Sequence, residues 1–306
     1  MKQPLGLIYN PTAGQGRFRP GIQKVLQALD DAGAHVELFA TRLAGDGLEQ
    51  GRLAALAHHT VAIYGGDGTV NEVLNGLVAS GRSPRVLLLP GGTMNVLCRE
   101  LRIPLSVDKA ASLLTGGVGR RIYLGLASTA DINRYFSLMT SAGIDAAVVH
   151  GMSRFGWAKR LIGPFAFLVA GVEQMFRYRF PELEVDVPEP DGGKFRGRGM
   201  VVGKSKGYGG FFTMTGRADP HEPIFEIALA ERRGLIRHSF NLMLAMVGLI
   251  KWSPNHRFFM ARHFTVSALK PVPLQMDGDE TGQLAVGSPM EFSIDGTTVE
   301  VLVPNV

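Results

Sequence analysis

The chain has 306 residues, of which 45% are hydrophobic and 19% are charged, so it can form a packed core and is not globally disordered. Its one cysteine, Cys98, excludes an intrachain disulfide, and its formal net charge is +5. No motif for nucleic-acid binding is present, so we expect no nucleic-acid partner. The most hydrophobic stretches, 161–172 and 242–250, are shorter than the ~20 residues of a transmembrane helix. We expect a cytoplasmic protein, with peripheral contact at the inner membrane face as an option.

Residues 1–125 alternate between strand and helix patterns. Buried strands are predicted at 5–9, 35–40, 61–64 and 85–90, and helices at 21–32, 48–57, 70–78 and 94–101. Such alternation predicts an α/β domain whose parallel sheet carries helices on its faces. In sheets of this kind, ligands bind at the carboxyl ends of the strands.

Residues 126–306 have a different sequence pattern, in which short runs typical of β-strands are separated by turn residues. The runs are 134–140, 182–187, 199–203, 211–215, 224–230, 264–269, 291–295 and 298–303. Helical patterns interrupt them at 157–177 and 235–250. We expect a second, β-rich domain with an antiparallel, sandwich-like arrangement, and the extreme C-terminus is a candidate to return to the first domain.

Three glycine-containing loops follow three predicted strands of the first domain: "NPTAGQG" (10–16), "GGDGT" (65–69) and "PGGTMN" (90–95). In a parallel sheet all three would emerge at the same edge. Glycine lets a backbone approach a phosphate closely, and a helix N-terminus offers free N–H groups to an anion. The three loops together predict a phosphate-binding edge.

The second loop also has a simpler interpretation. Thr69 and Glu72 fit the capping-box pattern, so the loop could be only a tight turn before a capped helix. Asp67 is unusual in a phosphate-binding loop, because a carboxylate repels phosphate unless a cation such as Mg²⁺ bridges them. The alternative is that Asp67 bonds backbone N–H groups of its own turn. The P-loop and dinucleotide-binding glycine patterns are both absent from the sequence.

These motifs resemble one family. "NPTAGQG", "GGDGTVNEVLNGL" and "PGGTMNVLCREL" are similar to the diacylglycerol kinase catalytic domain, specifically to bacterial lipid kinases that also resemble sphingosine kinases. The resemblance continues less sharply through "SAGIDA" (141–146), "GYGGFF" (207–212) and "MDGDETG" (276–282). The family implies an ATP-binding α/β domain at 1–125 and a β-rich lipid-substrate domain at 126–306.

The resemblance also implies roles for individual residues. Those that would hold ATP are Asn10, Gly14, Gly16, Thr41, Gly65, Gly66, Asp67, Gly68, Thr69, Val70, Asn71 and Thr93. Asp67 would also carry Mg²⁺, and Glu222 would match a ligand of a structural metal. The catalytic candidates are Asp67, Asp279 and Glu280.

The family's "DGE" motif appears in this chain as Asp277-Gly278-Asp279. The third residue of that motif is the base or orienter for the lipid hydroxyl, and Asp279 is one methylene shorter than the usual glutamate. Glu280 could substitute only if the turn pointed differently. An Asp-Gly pair is also a common β-hairpin turn, which is the structural alternative.

Three further positions depart from the family. Tyr123 stands about where an aspartate is often found, so one metal-linked carboxylate is missing. The structural metal motif, similar to "DG-x-L" after an alanine, is replaced by Glu222 and Pro223 in "ADPHEPIFE". The asparagine usually found before "GYGG" is replaced by Lys204 or Ser205.

The function that the resemblance implies is an ATP- and Mg²⁺-dependent lipid kinase in phospholipid biosynthesis. It would transfer the γ-phosphoryl group of ATP to a hydroxyl of diacylglycerol or a related lipid alcohol. The stretch 151–180, which mixes aromatic and cationic residues, is a candidate for peripheral membrane contact. A homodimer is left open. The alternatives are a NAD kinase-like enzyme, since that family shares a "GGDGT" loop, and a catalytically weak nucleotide- or lipid-binding protein.

Overall fold

A computed structural model describes residues 2–11, 21–154, 178, 180–188, 192–208, 212–231, 244 and 248–305. The chain forms two compact units. The first contains Met1–Leu124 and Gly296–Val306, and the second contains Gly125–Asp295. The predicted helical stretch at 157–177 lies outside the described residues, as does most of the one at 235–250.

The described elements agree with the predicted succession of strands and helices in the first half of the chain. The strands are β1 (Gln3–Tyr9), β2 (Ala34–Ala40), β3 (Thr60–Gly65), β4 (Arg85–Pro90), β5 (Val118–Tyr123), β6 (Gly125–Ser128), β7 (Asn133–Phe136), β8 (Met139–Ala142), β9 (Leu183–Val187), β10 (Gly193–Gly197), β11 (Met200–Gly203), β12 (Gly207–Tyr208), β13 (Phe212–Thr213), β14 (Phe225–Ala230), β15 (His256–Ala261), β16 (His263–Ala268), β17 (Val272–Met276), β18 (Asp279–Leu284), β19 (Met290–Ser293) and β20 (Thr298–Val303). The helices are α1 (Ile22–Asp31), α2 (Asp46–Ala57), α3 (Asp67–Ala79), α4 (Val96–Glu100), α5 (Val107–Ala111), α6 (Leu113–Gly116) and α7 (Ile144–Arg154), with a 3₁₀ turn at Ile250–Trp252.

The sheet of the first unit has the strand order β2-β1-β3-β4-β20-β5. The pairs among β2, β1, β3, β4 and β20 are parallel, and β5 runs antiparallel to β20. The central strands are buried on both faces, which explains why their sequences are continuous apolar runs rather than alternating ones. The predicted α/β unit with a parallel sheet is confirmed.

Two helices of the first unit, α2 and α3, approach each other through glycines. A Cβ atom added at Gly76 would lie 2.0 Å from the Leu48 carbonyl oxygen, and one added at Gly51 would lie 2.7 Å from the Val73 carbonyl oxygen. Real side chains cannot occupy such positions, so the backbones touch where an ordinary residue would separate them. Gly76 therefore has a packing role.

The second unit contains two sheets of six described strands, in the orders β10-β9-β16-β19-β6-β7 and β15-β14-β11-β8-β17-β18. The pairs within both sheets are antiparallel. Phe136 of one sheet stacks on Phe225 of the other, with ring centroids 5.6 Å apart, and Phe225 meets Phe264 edge-on at 6.0 Å. Side chains of both sheets thus share one core, and the predicted β-rich, sandwich-like unit is confirmed.

In the part of the chain that the structure describes, none of the helices combines the length and the hydrophobicity that crossing a membrane requires. The C-terminal strand β20 lies between β4 and β5, so the end of the chain completes the sheet of the first unit.

Replacing Gly76 by alanine should destabilise the first unit, because the new methyl group would overlap the Leu48 carbonyl and force α2 and α3 apart. We expect a loss of about 1–3 kcal/mol in the free energy of unfolding, measured by urea denaturation. Gly116→Ala is the matched control, since among the described residues nothing lies within 4 Å of its added Cβ. Equal stability of the two variants would contradict the proposed helix contact.

Candidate functional site

The loops after β3 and β4 lie at the same edge of the first unit's sheet as Asn10, where the first glycine-containing loop begins, because β1, β3 and β4 are parallel neighbours. The backbone N–H of Asn10 donates to the Tyr64 carbonyl at 3.4 Å, and that of Gly91 donates to the Gly65 carbonyl at 3.0 Å. These hydrogen bonds connect the end of β3 to Asn10 on one side and to the loop after β4 on the other. Most of the first loop, including Gly14 and Gly16, lies outside the described residues.

The loops after β3 and β4 touch each other through their backbones. A Cβ atom at Gly92 would lie 2.5 Å from the Gly66 Cα atom, and one at Gly91 would lie 2.9 Å from the Gly65 nitrogen. Close packing between the two loops therefore requires glycine at some of these positions, whether or not a phosphate binds there.

The predicted capping box at Thr69 is wrong, because α3 begins two residues earlier, at Asp67, with Gly66 as its N-cap. Thr69 therefore lies inside the first turn. The Glu72 carboxylate instead accepts hydrogen bonds from the backbone N–H groups of Gly45, at 2.9 Å, and Gly47, at 3.0 Å. It stabilises the N-terminus of α2 rather than that of its own helix.

Asp67 is half-buried in the first turn of α3, and its Oδ1 atom accepts a hydrogen bond from the Leu97 N–H at 3.3 Å. The carboxylate thus reaches the next loop, where α4 begins, rather than only its own turn. Burial raises the pKa of the Cys98 thiol to about 12, and the neighbouring Asp67 carboxylate adds to that shift. Cys98 is accordingly a buried neutral thiol beside the Asp67 carboxylate.

The remaining residues expected to hold ATP lie at or near the same edge. Thr41 follows β2, is buried, and donates its N–H to the Tyr9 carbonyl at 3.0 Å. Val70 and Asn71 are buried in α3, and Asn71 is 1% exposed. Thr93 is exposed in the loop after β4.

Asn95, which carried no assigned role, shapes that last loop. Its backbone is left-handed, with φ 47°, and its side chain both accepts from the Gly92 N–H at 2.7 Å and donates to the Gly92 carbonyl at 2.9 Å. Asparagine tolerates this conformation better than most residues and bonds its own turn. The loop is therefore pre-shaped by its own hydrogen bonds.

In the second unit, Asp277 and Gly278 form the two-residue turn between β17 and β18, with φ values of 48° and 88°. The hairpin interpretation of this stretch is therefore correct. The buried Asp277 carboxylate accepts hydrogen bonds of 2.8–3.0 Å from the Ser137 N–H and hydroxyl and from the N–H groups of Leu138 and Met139. Burial raises the pKa of Asp277, and these hydrogen bonds oppose the shift.

These hydrogen bonds explain a difference from the sequence-based expectation. The run 134–140 was predicted as one strand, but β7 and β8 belong to different sheets. The backbone N–H groups at Ser137 and Leu138 are turned toward Asp277 instead of a neighbouring strand. The break in the strand is thus set by a residue far away in sequence.

The two catalytic candidates of this hairpin have different partners. Asp279 is partly exposed, and its Oδ2 atom lies 3.1 Å from Nη2 of Arg134. Glu280 lies with its Oε1 atom 3.2 Å from Nδ1 of His150, whose Nε2 is 2.7 Å from the Leu274 carbonyl oxygen. Each carboxylate thus lies beside a basic side chain that the sequence alone did not single out.

The motifs at 141–146 and 276–282 come together beneath this turn. Ser141 donates its hydroxyl to Asp145 and accepts from Gln275 Nε2 at 2.9 Å, and Gln275 in turn accepts from the Gly278 N–H at 2.9 Å. This network of side chains supports the turn from the sheet side. It gives the weakly matching "SAGIDA" motif a positioning role for the residues at 277–280.

Glu222, the expected structural metal ligand, directs its carboxylate to an exposed position. Its backbone carbonyl accepts a hydrogen bond from the ammonium of Lys204. Burial lowers the pKa of Lys204 to about 8, while the carboxylates of Asp219 and Glu222 oppose that shift. Across the described ranges, His, Cys, Asp and Glu side chains form no group of three or more that could hold a metal ion.

Comparison with known proteins identifies the first unit. Residues 4–127 match the family model of the diacylglycerol kinase catalytic domain. That part of the chain is thus similar to a diacylglycerol kinase catalytic domain. A diacylglycerol kinase of Staphylococcus carnosus is 28% identical over 289 residues, covering 93% of this chain and 91% of the relative. The resemblance seen in the motifs, and with it the prediction of an enzyme of the lipid kinase class, is confirmed.

Solved structures show the same fold. A putative diacylglycerol kinase from Bacillus anthracis superposes with a TM-score of 0.77 at 17% identity, covering 99% of this chain and 98% of that one. Yeast NADH kinase superposes with a TM-score of 0.52 at 12% identity, covering 99% of this chain and 84% of that one. This chain and the NADH kinase therefore share a fold.

The positions of Asp277 and Asp279 predict losses of stability of different size for the same substitution. Asp277→Asn should lower the free energy of unfolding by about 2–3 kcal/mol, because an amide NH₂ would face buried N–H donors. Asp279→Asn removes only a partly exposed ion pair and should cost less than about 1 kcal/mol. Urea denaturation of both variants measures the difference, and a similar loss in the two would refute the buried role of Asp277.

Proposed function

We propose that the protein is an ATP- and Mg²⁺-dependent lipid kinase that phosphorylates a hydroxyl of diacylglycerol or a related lipid alcohol. The observation that carries the proposal is the edge of the first unit, where two glycine loops meet backbone to backbone around Asp67. That edge lies within the segment that matches the kinase domain. Residues 1–125 would bind ATP, and residues 126–306 would bind the lipid.

The proposed ATP site relies on backbone groups and one carboxylate. The loops supply N–H donors at the carboxyl ends of parallel strands, and the first turn of α3 adds the positive end of its dipole. Asp67 would hold Mg²⁺, which usually binds one or two carboxylates together with substrate phosphates. When bound, the ion neutralises the charge that develops on the phosphates.

The proposed catalytic group of the second unit is Asp279. Its carboxylate would orient the lipid hydroxyl and accept its proton as the hydroxyl oxygen bonds to the γ-phosphorus and the bond to the ADP oxygen breaks. The Nη2 atom of Arg134 lies 3.1 Å from the Oδ2 atom of that carboxylate. Glu280 has its own basic partner, His150, and remains the second candidate for the same task.

Purified protein should phosphorylate a lipid alcohol when Mg-ATP is supplied. A panel of diacylglycerol, sphingosine, ceramide, phosphatidylglycerol and NAD, assayed by transfer of labelled phosphate, checks this expectation. Labelled product from at least one lipid and none from NAD is the expected result. Product from NAD alone would replace the proposal by a NAD kinase, and ATP binding without any product would favour a catalytically weak binding protein.

Two variants serve as controls for this assay. Asp67→Ala and Asp279→Ala should each lower turnover by about 10²-fold or more, since each removes a group that acts on the reacting phosphate or hydroxyl. Asp279→Glu restores the family's usual residue and should keep measurable activity. Full activity of Asp279→Ala, with Glu280→Ala inactive, would transfer the role to Glu280.

We further propose peripheral membrane contact at the 3₁₀ turn Ile250–Trp252. The Trp252 side chain is 73% exposed and Leu249 is 47% exposed, so two large apolar side chains within four consecutive residues face solvent. Lys251 lies with its Nζ atom 5.7 Å from the Trp252 ring centroid. Exposed tryptophan beside a cation suits the interface of an anionic bilayer.

Trp252→Ala should weaken binding to vesicles that contain phosphatidylglycerol by about tenfold, because the indole ring no longer enters the interface. Co-sedimentation with such vesicles measures the binding. Leu43→Ala is the matched control, since Leu43 is 75% exposed but lies in the first unit. Equal binding of Trp252→Ala and the unmodified protein would rule out this contact.

A further inference from the structure

Lys204 is a charged residue in a place where charges are rarely found. Its side chain is fully buried, with 0% exposure, directly after β11. A buried ammonium is costly unless each of its N–H groups has a partner. Lys204 meets this requirement with backbone oxygens of one loop, donating to the carbonyls of Asp219, at 3.1 Å, of Glu222 and of Ile224, at 3.4 Å.

Three carbonyl oxygens that converge on one positive charge are the donor set by which proteins also bind divalent cations. The sequence of this loop resembles the family's structural metal motif, but with Glu222 and Pro223 at its key positions. The centre of the loop is occupied by a cation that belongs to the chain. A metal ion placed there would meet the ammonium, so the residues present do not fit a metal at this position.

We propose that the Lys204 ammonium takes the place of the structural metal that the family resemblance implies, as a cation covalently tethered to the fold. The proposal does not depend on the substrate or on catalysis. Its consequence is that the second unit needs no divalent ion to hold the loop at 219–224.

The backbone hydrogen bonds of Lys204 show which other part of the second unit this residue is joined to. The N–H groups of Lys204 and Ser205 both donate to the Leu138 carbonyl, at 2.8 and 3.0 Å. The Leu138 N–H in turn donates to the Asp277 carboxylate at 2.9 Å. Through these hydrogen bonds Lys204 links the loop at 219–224 to the turn that carries Asp279.

The loop has further internal support that fits a structural role. The Asp219 carboxylate accepts from the His221 N–H at 2.8 Å. Glu226, which is 3% exposed, accepts from the N–H and the Nε group of Arg217 at 2.6 and 2.9 Å. The Asp219 and Glu226 carboxylates are thus engaged with backbone N–H and arginine groups, and carbonyl oxygens meet the ammonium.

The thermal midpoint of the full chain without nucleotide tests the proposal. We compare it in EDTA and in Mg²⁺ or Ca²⁺, using Asp67→Ala so that a cation bound in the first unit does not contribute. The midpoint should agree within about 1 °C in all conditions, because no cation binds to the native loop. A midpoint that falls in EDTA and recovers on adding Ca²⁺ or Mg²⁺ would overturn the proposal, and this comparison leaves Lys204 unmodified.

Variants at Lys204 provide a second test of the proposal. They are made in the Asp67→Ala protein, and their thermal midpoints are measured. Lys204→Met removes the ammonium that donates to all three carbonyls and should lower the midpoint by on the order of 5 °C or more. Lys206→Met, an exposed neighbour, removes the same charge without that loss and is the matched control. Equal midpoints for the two variants would contradict the role of the ammonium.

Lys204→Asn tests whether the loop can bind a free cation. The shorter side chain vacates the centre of the loop and adds an amide oxygen. Its midpoint should be low in EDTA and rise by several degrees when Ca²⁺ or Mg²⁺ is added. If no divalent cation raises it, the carbonyl cluster is not a cation site and the proposed replacement is wrong.

Discussion

The hydrogen-bond network around the turn at Asp277 and Gly278 depends on the buried carboxylate of Asp277. It collects donors from three consecutive residues, Ser137 to Met139, and thereby ends β7 and starts β8 in the other sheet. The Leu138 carbonyl, fixed by that arrangement, receives the N–H groups of Lys204 and Ser205. One desolvated charge therefore sets the position of the turn beside it, of the strand break and of the tethered ammonium.

In the first unit, the loops are held in place by direct contact between their backbones. In the second unit, the buried charged side chains of Asp277 and Lys204 have the corresponding role. Gly66 and Gly92 let two loops meet without side chains between them, and Asn95 closes the second loop on itself. A surface of this kind is pre-shaped, and the N–H donors that the first turn of α3 adds to it would meet an anion with little rearrangement. Pre-shaped donors of this sort are worth more in phosphoryl transfer than mobile ones, because their orientation costs nothing at the moment of reaction.

The sequence predicted the elements and the sheet edge of the first unit well, because buried parallel strands leave long apolar runs and their loops must emerge together. It did not predict the partners of Asp279 and Glu280. Arg134 is 145 residues from Asp279, and His150 is 130 residues from Glu280, so no local pattern joins them. The helix start at Asp67 was misplaced for a different reason: Glu72 follows the capping-box pattern but serves the neighbouring helix.

The position of β20 has a consequence for how the chain acquires its shape during synthesis. β20 is the sheet neighbour that separates β4 from β5, yet it is made only after the whole second unit. While residues 125–295 are being synthesised, the sheet of the first unit lacks β20. During that time β5 lacks the strand with which it pairs in the folded protein. The second unit can reach its own core earlier, so the part of the protein translated first is the part completed last.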